Sequence, residues 1–464
     1  MSSSTDPAAS PDEGGNRSTT SGDLPERPGT IARRVGGKAL PLYLSMLSTV
    51  AGNAVTAGVM GTTGTVELAA YALVIAVFTP TLMLVQGALR GSMPFVAQNE
   101  DSARSLAPVL RDSLWLALFM GGAGGALIAA VPALSRLIGV AEPTVAALGT
   151  YPILMALYTL ITSTKNAMMT LLVGLGHTRT VMVVSLCTTG VALTLTPALV
   201  LGPGPVPTLG LPGAGVAMLS TGALTILPTW WAVRRTTVLR GHRIGLGPPR
   251  WSGVGRMAAV GLPSGSTLLL KSGTVSVLTV VVARIGPEEV AVHQLVVVLL
   301  GMAFIPAVAV GQATVPFTAR AAKSGRRALV RRTVLSSYLV SLPVVLLGTA
   351  ALWLFPTQLL GLFSDDVTVR EGVAALVPLL TLVVVFDAVQ SAPNLGLLGI
   401  KDTRPAMYAY VFCYGALVSL SVPLAERAGL GGLWTAYAAT TLVLATVQWG
   451  SFLVVSRKAV VAPT

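Results

Sequence analysis

The sequence predicts an all-α integral membrane protein, with twelve transmembrane helices in two six-helix bundles related by a pseudo-two-fold axis along the membrane normal. Three observations carry this. Apolar side chains make up 53% of the 464 residues and charged ones only 11%, too little polar surface for a water-soluble globule of this size. Apolar runs long enough to cross about 30 Å of hydrocarbon as helices recur from Lys38 to Ser456. The second half of the chain also repeats features of the first.

Gly, Pro and basic punctuation sets the runs at 38–60, 68–97, 108–134, 145–174, 180–201, 210–233, 257–284, 290–317, 331–355, 373–398, 406–425 and 430–455. Strands of a membrane barrel would alternate and be about ten residues long, so a β-barrel is excluded. Residues 1–37 read as a disordered tail, rich in Ser, Thr, Gly, Pro and Asp and without the apolar core of a signal peptide. Cys187 and Cys413 fall inside spans and read as inert packing thiols.

Sliding the chain by 222 residues sets Leu40-Pro41 on Leu262-Pro263, Glu67-Leu68-Ala69 on Glu289-Val290-Ala291, and Pro94-Phe95-Val96-Ala97 on Pro316-Phe317-Thr318-Ala319. Six spans is an even number, so both halves have the same orientation, with the substrate path between them. The expected lobes are 38–233 and 257–456, joined by a basic linker over 234–256 and followed by a short tail over 457–464.

The net charge of +13 raises nucleic acid as a partner, but its distribution follows the membrane instead. Of 31 Lys and Arg, 24 fall in the tails and loops on one side, four (Arg136, Arg284, Arg370 and Arg427) fall on the other, and Arg90, Lys165 and Lys271 lie within spans. The excess of positive charge places both termini in the cytoplasm. The expected partners are therefore a lipid bilayer and a small molecule, with the chain acting as a monomer in the plasma membrane.

The second half resembles the multidrug and toxic compound extrusion (MATE) family in Gly261-Leu262-Pro263, Ile285-Gly286 followed by Val290-Ala291-Val292-His293-Gln294, Ile305-Pro306 with Gly311-Gln312-Ala313, and Phe386-Asp387-Ala388-Val389-Gln390 followed by Gly399 to Pro405. The first half is similar in Leu40-Pro41, Gly58-Val59-Met60-Gly61 and Leu209 to Ala217. The resemblance implies a two-lobed exporter that alternates its access and couples expulsion of an organic molecule to entry of sodium ions or protons, without a further cofactor. Against the family pattern, Asn53 stands where many members have an Asp, five residues before Gly58. Lys271 stands where the sodium-coupled branch has a Glu, eight residues after Pro263, and Ala192 and Thr196 replace polar Asn residues.

Asp387 reads as the only carboxylate within the spans. An ionised acid in hydrocarbon costs several kcal/mol unless compensated, which marks it as functional. Asp387, Gln390, Ser391 and Asn394 share one face of their helix, as do Ser264, Thr267, Lys271 and Thr274 of theirs. Lys271 and Asp387 lie eleven residues from the cytoplasmic ends of their spans, roughly 16 Å at 1.5 Å per residue. Equal depth permits a salt bridge in which the ammonium takes the place of the family's sodium ion and coupling runs on protons. The alternative is a static pair that fixes packing.

In the first half, Lys165 lies about 13 Å from the end of its span and reads as having no acid within the spans of its own lobe to pair it. Tyr158 and Thr162 continue its strip and Asn166 adjoins it, so these residues, with Asn53 and Gln86, are candidate substrate contacts. A free ammonium there favours an anionic or phenolate group, and one bonded to helix carbonyls does not. Arg90 sits within two turns of the inner end of its span, where snorkelling to the headgroups is the cheaper reading. Pro41, Pro263 and Pro306 are candidate hinges.

No His, Cys and carboxylate set has metal-ligand spacing, and Gly121 to Gly125 lacks the Lys-Ser/Thr ending of a phosphate loop. A prenyltransferase would need paired Asp-rich motifs, and Asp365-Asp366 is the single Asp-Asp pair in the chain. The expectation is therefore a transporter and not an enzyme. The nearest alternative is a flippase for a lipid-linked carrier.

Overall fold

A hydrocarbon solvent requires backbone polar groups to be satisfied within the segment, and helices meet that condition across the whole span. The computed structural model describes residues 27–202, 208–240, 245 and 247–458. Its long helices are Pro28–Gly61, Thr65–Arg90, Ala103–Ala129, Tyr151–Gly174, Thr178–Leu201, Gly210–Arg234, Trp251–Val282, Pro287–Lys323, Arg327–Leu354 and Val367–Gly399. Two more, 404–428 and 430–458, are divided by Gly429, whose φ of 59° is a left-handed conformation that a side chain disfavours. The twelve expected spans are all present.

Two boundaries differ from expectation. The first helix begins at Pro28, so residues 28–37, expected in the tail, are helical. Arg33, Arg34, Gly36 and Gly37 break the apolar run there, but Ile31, Ala32 and Val35 are buried against the protein and the helix continues through them. The seventh helix begins at Trp251, inside the expected linker, where Phe119 stacks on the Trp251 ring at 5.2 Å between centroids. The remainder of the expected tails, through residue 26 and from 459 onward, and linker residues 241–244 and 246 lie outside the described residues.

The buried side chains fall into cores with a clear asymmetry. At the end away from the termini, the first six helices pack among themselves around Met60, Val74, Tyr151 and Leu211. The last six pack separately there around Val282, Val296, Leu380 and Tyr437. At the end carrying the termini, one core runs through both halves, joining Val35, Leu89 and Met93 to Val260, Val310 and Leu398. The halves are therefore joined at the basic end and separate toward the other. Leu227, Leu347 and Phe412, each more than 70% exposed, belong to an apolar perimeter that suits lipid.

Polar contacts reinforce the joined end. Arg320 Nη2 donates to Glu100 at 2.6 Å, and Lys323 Nζ to Asp101 at 2.6 Å. Asp101 and Lys323 are 222 residues apart, the same as the internal repeat, so equivalent positions carrying opposite charge meet at the pseudo-two-fold axis. Lys401, at a φ of 64°, places its ammonium 4.1 Å from the centre of the Phe95 ring. Burial, with Arg256 adding to it, pulls the Lys401 ammonium down to about 8, so this contact is cationic below that pH and fades above it. The Asp101–Lys323 pair is exposed, and such pairs contribute less than about 1 kcal/mol. Asp101→Asn is accordingly expected to raise the labelling rate of a cysteine at Met93 from the basic end by no more than about fivefold.

Candidate functional site

Two polar assemblies lie within the membrane, one in each half. In the second half, the seventh and tenth helices bring Lys271 and Asp387 together, with Nζ donating to Oδ2 at 2.6 Å. The Asp387 side chain is fully buried and that of Lys271 is 16% exposed. The two helices thus bring into contact the two charges whose depths were matched by count. Gln390 Nε2 lies 3.4 Å from the other Asp387 oxygen and donates to the Tyr410 hydroxyl at 2.9 Å. Asn394 lies one turn further along the tenth helix and makes no hydrogen bond to the pair.

The Lys271 ammonium also stands 3.7 Å from the centroid of the Phe304 ring on the eighth helix. A cation over a ring face is attracted by its quadrupole, so Lys271 is held on one side by a carboxylate and on another by an aromatic ring. Phe304 was not among the residues singled out from the sequence. A lone aromatic in an apolar run carries no signal of this role, and only the approach of the two helices shows it.

In the first half, a cavity of about 580 Å³ is walled by the first, second, fourth, fifth and sixth helices and closed by the eighth. All six candidate substrate contacts, Asn53, Gln86, Tyr158, Thr162, Lys165 and Asn166, line it. Lys165 is 9% exposed and Asn166 Nδ2 is buried without a hydrogen-bond partner. Phe304 lines the same cavity, so one ring touches both assemblies.

Three expectations change. Arg90, expected to snorkel, ends the second helix and lines the cavity. Beside it the second and seventh helices pack closely. Asp387 is not the sole carboxylate within a span: Asp112, in the third helix, is 1% exposed and accepts from Arg250 Nε at 3.1 Å. Its partner is 138 residues away in the linker, so no local spacing reveals the pair. Cys187 is exposed on the helix surface instead of packed inside.

Pro41, Pro263 and Pro306 all lie inside continuous helices. The second and seventh helices pack backbone to backbone through Gly87 and Gly91 against Gly261 and Gly265. Both pairs have the small-xxx-small spacing that permits such approach. Among the described residues, no three His, Cys, Asp or Glu gather as a metal cluster would.

The MatE family model matches residues 41–198 and 263–422, one match in each half and offset by the internal repeat. The chain is 27% identical over 454 residues to the probable multidrug resistance protein NorM of Aromatoleum aromaticum, covering 94% of this chain and 96% of that protein. It is 26% identical to the multidrug resistance protein PmpM of Pseudomonas aeruginosa, covering 85% of this chain and 86% of that one. Among solved structures, a MATE protein in a straight conformation superposes with a TM-score of 0.83 at 21% identity, covering 92% of this chain and 97% of that one. An outward-facing multidrug resistance MATE transporter of the MOP superfamily gives 0.82 at 20% identity, covering 93% and 96%. The match of the family model to both halves, on a fold of twelve membrane helices, makes this chain a member of the multidrug and toxic compound extrusion family of efflux transporters.

Proposed function

We propose that the protein expels a small organic molecule across the plasma membrane in exchange for protons, with the Lys271–Asp387 pair as the coupling element. Both termini face the cytoplasm in this reading, and the arrangement joined at the basic end is the outward-facing one. A single chain carries both the pair and the cavity and acts as a monomer.

The observation that carries the reading is the position of Phe304 between them. While Asp387 is ionised, it and the ring hold the Lys271 ammonium between them. Protonating Asp387 removes the negative partner, and the ammonium must then find other acceptors or lose its own proton. Phe304 is released with it, and the wall of the cavity changes. Proton binding in one half thereby alters the ligand site in the other, a coupling through an element with two arrangements.

The ammonium on Asp387 Oδ2 supplies the compensating charge that a sodium ion would otherwise bring, which favours proton coupling. The cavity volume lies in the range of drug-sized ligand sites, which favours a compact substrate over a lipid-linked carrier.

Transport in vesicles with separately imposed proton and sodium gradients tests the coupling. A proton gradient is expected to drive wild-type transport and a sodium gradient is not. Asp387→Asn is expected to reduce proton-driven transport at least tenfold while substrate still binds. Export at the wild-type rate by Asp387→Asn, with proton movement opposite to the substrate intact, would sink the proposal.

A further inference from the structure

The cavity of the first half carries two cations and, among its described lining residues, no acid. Lys165 is more than nine-tenths buried, and neither it nor Arg90 has a carboxylate within salt-bridge distance. A buried charge without a partner is costly, and so is a buried amide N–H without an acceptor. Asn166 Nδ2, on the residue adjacent to Lys165, is such a donor. An ammonium, a guanidinium and the residue bearing an unused amide N–H thus line one space in which the described residues place no anion. The remainder of the wall includes Met46, Met83, Met169 and the Phe78 ring. Thioether side chains adapt to irregular apolar shapes without specifying one.

We infer that the cavity is a binding site for amphiphilic organic anions, in which Arg90 and Lys165 take a carboxylate or phenolate and the methionine-rich wall takes the apolar body. This deepens the export reading and rests on it for the fate of the ligand, but binding itself does not require it. The same two cations act against a lipophilic cation, because like charge in a desolvated site repels it. Selectivity therefore has both an attractive and a repulsive part.

Arg90 and Lys165 do different things in the site. The guanidinium presents a planar fork that matches a carboxylate with two parallel hydrogen bonds. The ammonium is a point charge that accepts any anionic geometry. Asn166 can donate to the same oxygens, so a bound carboxylate would satisfy the Asn166 amide and the Lys165 charge together.

The test uses the purified full-length protein with carboxyfluorescein and ethidium as probes, measuring binding in detergent and transport in vesicles. Wild type is expected to bind the anionic dye at least tenfold more tightly than the cationic one. Lys165→Met and Arg90→Gln, which keep much of the side-chain bulk, are each expected to weaken anion binding about tenfold. Lys165→Glu is expected to reverse the order of the two dyes, and a melting temperature like that of wild type checks that it folds. Anion binding unchanged in both neutral variants, or ethidium bound in preference by wild type, overturns the site. Charge-dependent binding without any dye transport leaves the site standing and refutes the export reading instead.

Discussion

Lys271→Met is expected to cost about 3–5 kcal/mol of stability and to abolish proton-driven export, because it leaves the carboxylate of Asp387 fully buried without its cation. The loss reflects the asymmetry of buried ion pairs. Bringing both charges out of water offsets much of their attraction, so the intact pair adds little to net stability, whereas one member alone is strongly unfavourable. The double variant Lys271→Met with Asp387→Leu replaces the pair by apolar side chains and is expected to recover most of the lost stability. Transport is expected to remain absent, since no group is left to carry the proton. Thermal unfolding of the single and double variants, with transport measured on the same preparations, separates the two roles of the pair. A double variant that is stable and transports normally would make the pair a packing device and refute the coupling.

The fold was legible because hydrocarbon imposes a length on every span, and runs such as 373–398 and 430–455 have that length and little else in common. Hydropathy marks where a helix is immersed, not where it starts, which is why the ten residues from Pro28 were missed. The candidate site was legible to the extent that polar residues stood alone. Lys165, Asn166 and Gln86 each interrupt an apolar run, and a polar group in hydrocarbon faces the bundle interior or a cavity. Lys271 and Asp387 could be matched because depth is counted along each helix. Asp112 with Arg250, and Phe304 with Lys271, could not be, since each contact depends on how distant segments approach. Arg90 had a valid local reading in snorkelling. Its place on the cavity depends on how the helices assemble, and it sits beside the close packing of the second and seventh.

That packing is where a single added side chain is expected to act most strongly on the transport cycle. A Cβ built on Gly261 would run into the Ala88 backbone carbonyl, and one on Gly91 into the Gly261 backbone, so the second and seventh helices are as close as their main chains allow. Gly261→Leu cannot be accommodated by turning a flexible neighbour aside, because what it meets is backbone. Even modest overpacking costs about 1–3 kcal/mol, and it falls only on the state in which these helices touch. An arrangement open at the basic end would separate them and escape the cost, so the substitution is expected to shift the equilibrium toward it by tenfold or more and to halt transport. Gly261→Ala should give a smaller shift in the same direction. A single cysteine at Met93, a cavity residue 1% exposed here, reports the change once Cys187 and Cys413 are replaced by Ser. Reagent added at the basic end is expected to label it slowly in the parent and rapidly in Gly261→Leu. Equal labelling with normal transport would mean that the helices do not part in the cycle, and that the facing glycines serve packing within one fixed arrangement.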